Sequence, residues 1–216
     1  MSDKATVGAV ITAFLESCGV RVAFGVISIH NMPILDAIAE RGKIRFVPSR
    51  GEAGAVNMAD AATRVSSQLS VAITSTGTAC GNAAGAMVEA QTAGTPMLHL
   101  TGQIETAYLD RNVAYIHEAR DQLSMLKSVS KAAYRVTSPE LALEVVRTAV
   151  NVAQTAPAGP VSIEIPIDIQ SAEIDWPHDL SPLPVAAISP NPYELDRLAD
   201  SLASAKRPLL WLGGGA

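Results

Sequence analysis

The sequence predicts an α/β fold: an open, mostly parallel six-stranded sheet with helices on both faces. Three observations carry that expectation. Short apolar runs alternate with stretches of helical periodicity about six times before residue 170, the pattern of repeated strand–helix units. Those runs, Arg21–Val26 and Leu69–Thr74 among them, are close to continuously apolar, as strands covered on both faces must be. Hydrophobic residues make up 48% of the chain and aromatics only 4%, so the core is aliphatic and alanine-rich helices can approach a sheet closely.

Thr6–Ser17 repeats apolar residues at helical spacing, and Cys18-Gly19 ends that helix. Arg21–Val26 is the first strand, and Met32–Ala39 is a second helix closed by Arg41-Gly42. Arg45–Pro48 is a strand, Ser49 and Gly51 make a turn, and Ala53–Arg64 is a helix of small residues. Leu69–Thr74 is the third strand, followed by the loop Ser75–Asn82, the helix Ala83–Ala93 and the strand Pro96–Thr101. Gly102–Asp121 has weak periodicity and mixed charge and reads as a long excursion. Gln122–Val129 is a short helix and Ala132–Val136 a strand. Pro139 in a first turn opens a helix to about Gln154, with Leu141, Val145, Val146 and Val150 on one side. Val161–Ile165 is the last strand, bounded by Pro166.

Residues 1–170 form one domain on this reading. Residues 171–192, proline-rich from Trp176, form a stiff extended linker. Residues 193–216 supply an amphipathic helix, Tyr193–Ala205, and a strand, Arg207–Ala216, that runs into glycines. One helix and one strand cannot bury a core, so they read as the opening of a truncated second domain.

The net charge is -5 and the 16 Lys and Arg residues are dispersed, which excludes a nucleic-acid footprint. Cys18 and Cys80 lack metal-ligand spacing and read as reduced thiols. The N-terminus has no signal-peptide pattern, and no apolar run approaches the roughly 20 residues of a membrane span. The expectation is a cytoplasmic protein that binds neither membrane nor nucleic acid.

Glu52 stands where a strand becomes a helix, at the edge of a parallel sheet where ligands collect. Two readings compete. Ser49-x-x-Glu52 has the spacing of a capping box, in which the carboxylate reaches back to its own helix. Alternatively the carboxylate points into a cleft. Gly77 and Gly81 suggest a phosphate cradle but lack the lysine of a P-loop, so a tight turn capped by Asn82 is the competing account. His30 follows a strand end and His117 lies in the excursion near Glu118, Asp121 and Gln122. His99, inside an apolar strand, reads as a hydrogen-bonded core residue, and His178 lies in the linker.

Five segments, in order, resemble the N-terminal pyrimidine-binding domain of thiamine-diphosphate enzymes of the acetolactate synthase type. They are Arg50-Gly-Glu52 with Met58–Arg64, Thr76–Asn82, Pro96–Gln103, Gly159–Gln170, and Arg207-Pro208 through to the terminal glycines. The sequence departs from the family at Gly51, where the family has histidine, and at Ile27-Ser28 and Thr78-Ala79, where it has Pro-Gly. Ile116-His117-Glu118 stands where Phe-Gln-Glu is common.

The resemblance implies that Glu52 is catalytic, exchanging a proton with the aminopyrimidine of thiamine diphosphate. It implies coenzyme contacts from Glu52, Gly25, Val26, Thr76, Gly77, Thr78 and Asn82, and substrate-side positions at Ile27, Ser28, His30, His117 and Glu118. It implies no metal ligand in this chain: Mg2+ and the diphosphate belong to a C-terminal domain outside it. A flavin, FAD, is compatible with the family and undetermined by these residues. The implied activity is decarboxylation of a 2-oxo acid with C–C bond formation, in a homodimer or homotetramer, the fragment alone being inactive. The alternatives are simple decarboxylation of a 2-oxo acid or acyl-CoA, or a non-catalytic module that keeps the fold.

Overall fold

The strand–helix alternation closes into one sheet because each helix carries the chain back to start the next parallel strand. The computed structural model describes residues 4–213, which fall into two compact units divided between Pro184 and Val185. In the first unit the order is β1 (Lys4–Thr6), α1 (Val7–Ser17), β2 (Val22–Gly25), α2 (Met32–Arg41), β3 (Arg45–Pro48), α3 (Glu52–Ser66) and β4 (Val71–Thr74). It continues with α4 (Thr78–Thr92), β5 (Leu98–Gln103), α5 (Gln122–Val129), β6 (Ala132–Arg135), α6 (Ala142–Gln154), β7 (Val161–Pro166), α7 (Ile167–Ser171) and β8 (Glu173–Asp175). The six-stranded sheet has the order β3-β2-β4-β5-β7-β6, and every pair in it is parallel.

The two faces differ in chemistry. Val71 and Ile73 of β4, with Leu98, Leu100, Ile163 and Ile165, join Phe14 of α1 and Val146 and Val150 of α6 in a large aliphatic cluster. Ala72, on the opposite face of β4, packs with Ala59 of α3 and Ala83 and Met87 of α4. Small residues there let α3 and α4 lie close to the sheet and to each other. Helix ends follow local chemistry: Thr6 caps α1 by accepting from the Ala9 N–H at 3.2 Å, and Gly42, in the left-handed region at φ 63°, closes α2.

Several details depart from the sequence reading. Helix α4 begins at Thr78 rather than Ala83, because Gly77 adopts φ 59° and turns the chain immediately after β4. A 3-10 turn over Pro139–Leu141 precedes α6, and Leu141 is 50% exposed instead of joining the packed side. A two-stranded antiparallel ribbon, β1 with β8, has too few residues to show periodicity. Beyond it, residues 176–184 run along the first unit: Arg147 donates to the carbonyls of Asp179 (2.7 Å) and Ser181 (3.1 Å), and Asn151 donates to that of Pro184 (3.0 Å).

The second unit holds α8 (Pro192–Ser204), capped by Asn191 through the Tyr193 N–H at 3.0 Å. The strand expected at Arg207–Ala216 is not formed over its described part, residues 207–213; its last three residues lie outside the described ones. No described segment pairs with it, and a lone strand has no ladder to join. Among the described residues, no helix is long and apolar enough to cross a membrane.

Candidate functional site

The strand order reverses between β2 and β4: the chain leaves β2 outward to β3, then returns to β4 on the other side. In such sheets the crevice outside the carboxyl ends of those strands is where ligands bind. Several of the residues singled out in the sequence meet there. Ser28, beyond β2, touches Ser75, beyond β4, with 2.6 Å between hydroxyl oxygens. Asn31 Oδ1 accepts the Ser28 N–H (3.0 Å) and Asn31 Nδ2 donates to the Val26 carbonyl (2.9 Å), so residues 26–31 form a closed turn. Gly25 admits no side chain, since a Cβ would lie 2.3 Å from the Ile73 carbonyl. Ile27 is 62% exposed.

His30 is buried, with Nδ1 3.5 Å from Ser75 Oγ and its ring edge-on to His117 at 6.0 Å. Burial pushes its pKa down, the His117 ring pushes the same way, and Glu105 opposes both. His117 is exposed, at φ 60°, and its carbonyl lies against Gly77, where a Cβ would come within 1.9 Å of it. Glu118 does not face this group: its carboxylate accepts the Asn112 and Tyr115 N–H groups, each at 2.9 Å, and ties the excursion to itself.

Glu52 is the first residue of α3, behind a Gly51 N-cap that brings no side chain. The capping box does not form. The Ser49 hydroxyl donates instead to the Gly51 carbonyl at 2.8 Å. The half-buried Glu52 carboxylate turns towards α4, where Asn82 Nδ2 donates to Oε2 at 3.1 Å. Asn82 therefore lies within α4 and does not cap it, which corrects the turn expected from sequence. Thr78 opens α4 and is exposed. Cavities of about 510 Å³, beside Met32 and Ile167, and about 540 Å³, beside Arg21 and Arg41, lie elsewhere.

Sequence reasoning missed the buried group behind this loop. The Thr76 hydroxyl lies 2.8 Å from Gln103 Oε1 and 3.0 Å from Gln122 Oε1. The Gly77 N–H donates to Gln122 Oε1 at 2.7 Å. Both glutamine amides donate to Glu164 Oε2, at 3.2 and 3.0 Å, and Glu164 is wholly buried against Arg135. Burial pushes the Glu164 carboxyl up, and Arg135 pulls it back down. Arg135 extends to Asp110 in the excursion, 2.7 Å away. The signal was the alternation Leu98-His99-Leu100-Thr101-Gly102-Gln103 in β5 and Val161-Ser162-Ile163-Glu164 in β7, which gives one face of these strands to polar side chains.

Residues 5–125 match the thiamine pyrophosphate enzymes, over their N-terminal TPP-binding domain. The chain belongs to that family. It is 32% identical over 98% of its length to a probable 2-ketoarginine decarboxylase of Pseudomonas aeruginosa, covering 38% of that protein. It is 31% identical to the glyoxylate carboligase of Escherichia coli O157:H7 (93% of this chain, 34% of the relative). To the catabolic acetolactate synthase of Raoultella terrigena it is 30% identical (94% and 36%). The chain thus spans a little over a third of the length of these relatives.

The residues present suit an aminopyrimidine. Glu52 is not engaged by the amides of its own helix, and the exposed Asn82 amide stands beside it. The Cβ positions of Gly51 and Gly81 meet nothing within 4 Å, leaving bare backbone that a flat ring can approach. Among the described residues, no group of three or more His, Cys, Asp and Glu side chains could hold a metal ion.

Proposed function

We propose that this chain is the coenzyme-activating part of a thiamine-diphosphate enzyme that decarboxylates a 2-oxo acid and joins the resulting fragment to a second carbonyl compound. The coenzyme supplies a nucleophilic carbon and an electron sink. Glu52 holds and returns a proton at N1′ of its pyrimidine, and Asn82 keeps the carboxylate turned off its helix and towards α4. The observation that carries this reading is the Glu52–Asn82 hydrogen bond in place of a capping box. Thr76 and Gly77 form the floor of the loop beside the pyrimidine, while Ser28, His30 and His117 border the substrate. The relatives support the reaction class: one is by name a decarboxylase and two are by name a carboligase and an acetolactate synthase.

Mg2+ and the diphosphate are held by residues outside this chain. The small exposed residues of α3 and α4, Ala53, Gly54, Gly81 and Gly85, suit close self-association of a cytoplasmic homodimer or homotetramer. The test uses the polypeptide encoded by the complete gene, with pyruvate as probe and CO2 and acyloin as readouts. Glu52→Gln lowers CO2 release by about 100-fold or more, the range for a general acid–base group, with the melting midpoint unchanged. Equal rates for the two proteins would refute the assignment and favour a non-catalytic module. Release of aldehyde without acyloin would assign simple decarboxylation.

A further inference from the structure

We infer that Gln122 is a positioning residue for Glu52, acting through the first turns of α4; the inference rests on the coenzyme reading above. Gln122 opens α5, yet the helix does not need it there, because Asp121 already caps α5 by accepting the Ser124 N–H at 3.0 Å. Its side chain is wholly buried, and it is directed at the loop before α4. Oε1 accepts the Gly77 N–H at 2.7 Å and lies 3.0 Å from the Thr76 hydroxyl. Nε2 donates to the Gly102 carbonyl (3.2 Å) and to Glu164 (3.0 Å), so the amide cannot rotate without losing a partner. Gly77 is the N-cap of α4, and the rigid turn that follows carries Asn82 to the Glu52 carboxylate, 3.1 Å away.

The His117 carbonyl packs against Gly77 and leaves no room for a Cβ there. The placement of the catalytic carboxyl is therefore set by a buried amide on α5 that touches neither the carboxyl nor Asn82. Loss of the Gln122 amide frees the Gly77 N–H, lets the start of α4 shift, and moves Asn82 off Glu52. Misplacement by about 1 Å is enough to cost a large rate factor.

The experiment uses the polypeptide encoded by the complete gene, saturated with thiamine diphosphate and Mg2+. Two quantities are read: the rate at which the coenzyme C2 proton exchanges with solvent deuterium, by NMR after rapid quenching, and the melting temperature. Gln122→Met preserves length and removes the amide. Ser162→Ala disturbs a separate buried polar cluster and serves as the stability control. We expect Gln122→Met to slow exchange by about tenfold or more, and Ser162→Ala to lower the melting temperature with exchange within about twofold of wild type. Exchange in Gln122→Met within that twofold margin overturns the inference. Should Gln122→Met not fold, Gln122→Asn, which keeps an amide but draws it back from the Gly77 N–H, must show the same split or the inference falls. Glu52→Gln separates the two layers: if it too leaves exchange unchanged, the coenzyme reading itself fails. If it stops exchange while Gln122→Met does not, only the positioning role is lost.

Discussion

Two polar clusters are buried on the same face of the central strands, and they end in different places. Around His99, the ring contacts Thr74 Oγ1 at 2.8 Å and Ser162 Oγ at 3.1 Å, and Ser162 meets Ser130 at 2.7 Å. That cluster is neutral and closes on itself. Nearer the carboxyl ends of the strands, Gln103, Gln122 and Glu164 form a cluster with a charge at its centre, and it leads to Thr76 and Gly77 on one side and to Asp110 in the excursion on the other. The first satisfies polar atoms that the sheet interior cannot expose to water. The second shapes a loop at the point where the strand order reverses. Position along the strand, more than burial, separates the self-contained cluster from the one that borders the candidate site.

The sharpest way to break the comparison is to remove a charge that only the second cluster contains. Arg135→Met leaves Glu164 buried without its ion pair and is expected to cost about 3–5 kcal/mol in urea unfolding at pH 7. Burial already raises the Glu164 carboxyl, and loss of Arg135 raises it further. A raised folded-state carboxyl is favourable below its unfolded pKa and loses that benefit as pH rises, so the deficit relative to wild type should shrink at pH 4. A deficit independent of pH would mean that Glu164 is not the buried group left unpaired.

The neutral cluster responds in the opposite sense. Burial lowers His99 from 6.5 to about 4. The unfolded chain then binds the proton more readily, so stability is retained above pH 6.5 and lost as pH falls towards 4, by about 3 kcal/mol at ~1.4 kcal/mol per pH unit. His99→Gln should flatten that slope. The smallest effect is expected for Ser162→Ala, about 1–2 kcal/mol for a hydrogen-bond partner withdrawn from His99 and Ser130.

Much of the fold was legible because its signals are local. The strand Arg45–Pro48 and the helix Gln122–Val129 were read with the bounds the structure gives them, since continuous apolar runs and helical periodicity need no distant partner. The ribbon β1–β8 was not, because its strands exist only through pairing between residues far apart in sequence. At the site, Glu52 could be singled out, but Ser49-x-x-Glu52 spelled a capping box that the tertiary structure declined in favour of Asn82. The cap read at Asn82 does not form, because where a helix begins after a glycine depends on a backbone conformation that spacing does not reveal.

What the sequence determined by itself was the parallel α/β framework and the acid at its edge, both written in hydrophobic period and in a carboxylate beside small residues. What only the tertiary structure decided was which way that acid turns and what holds its neighbours. The loop beside it is held by Gln103 from β5, Gln122 from α5 and Glu164 from β7, which meet behind one glycine. Parallel strands bring such residues together across long stretches of chain, and no local pattern records it.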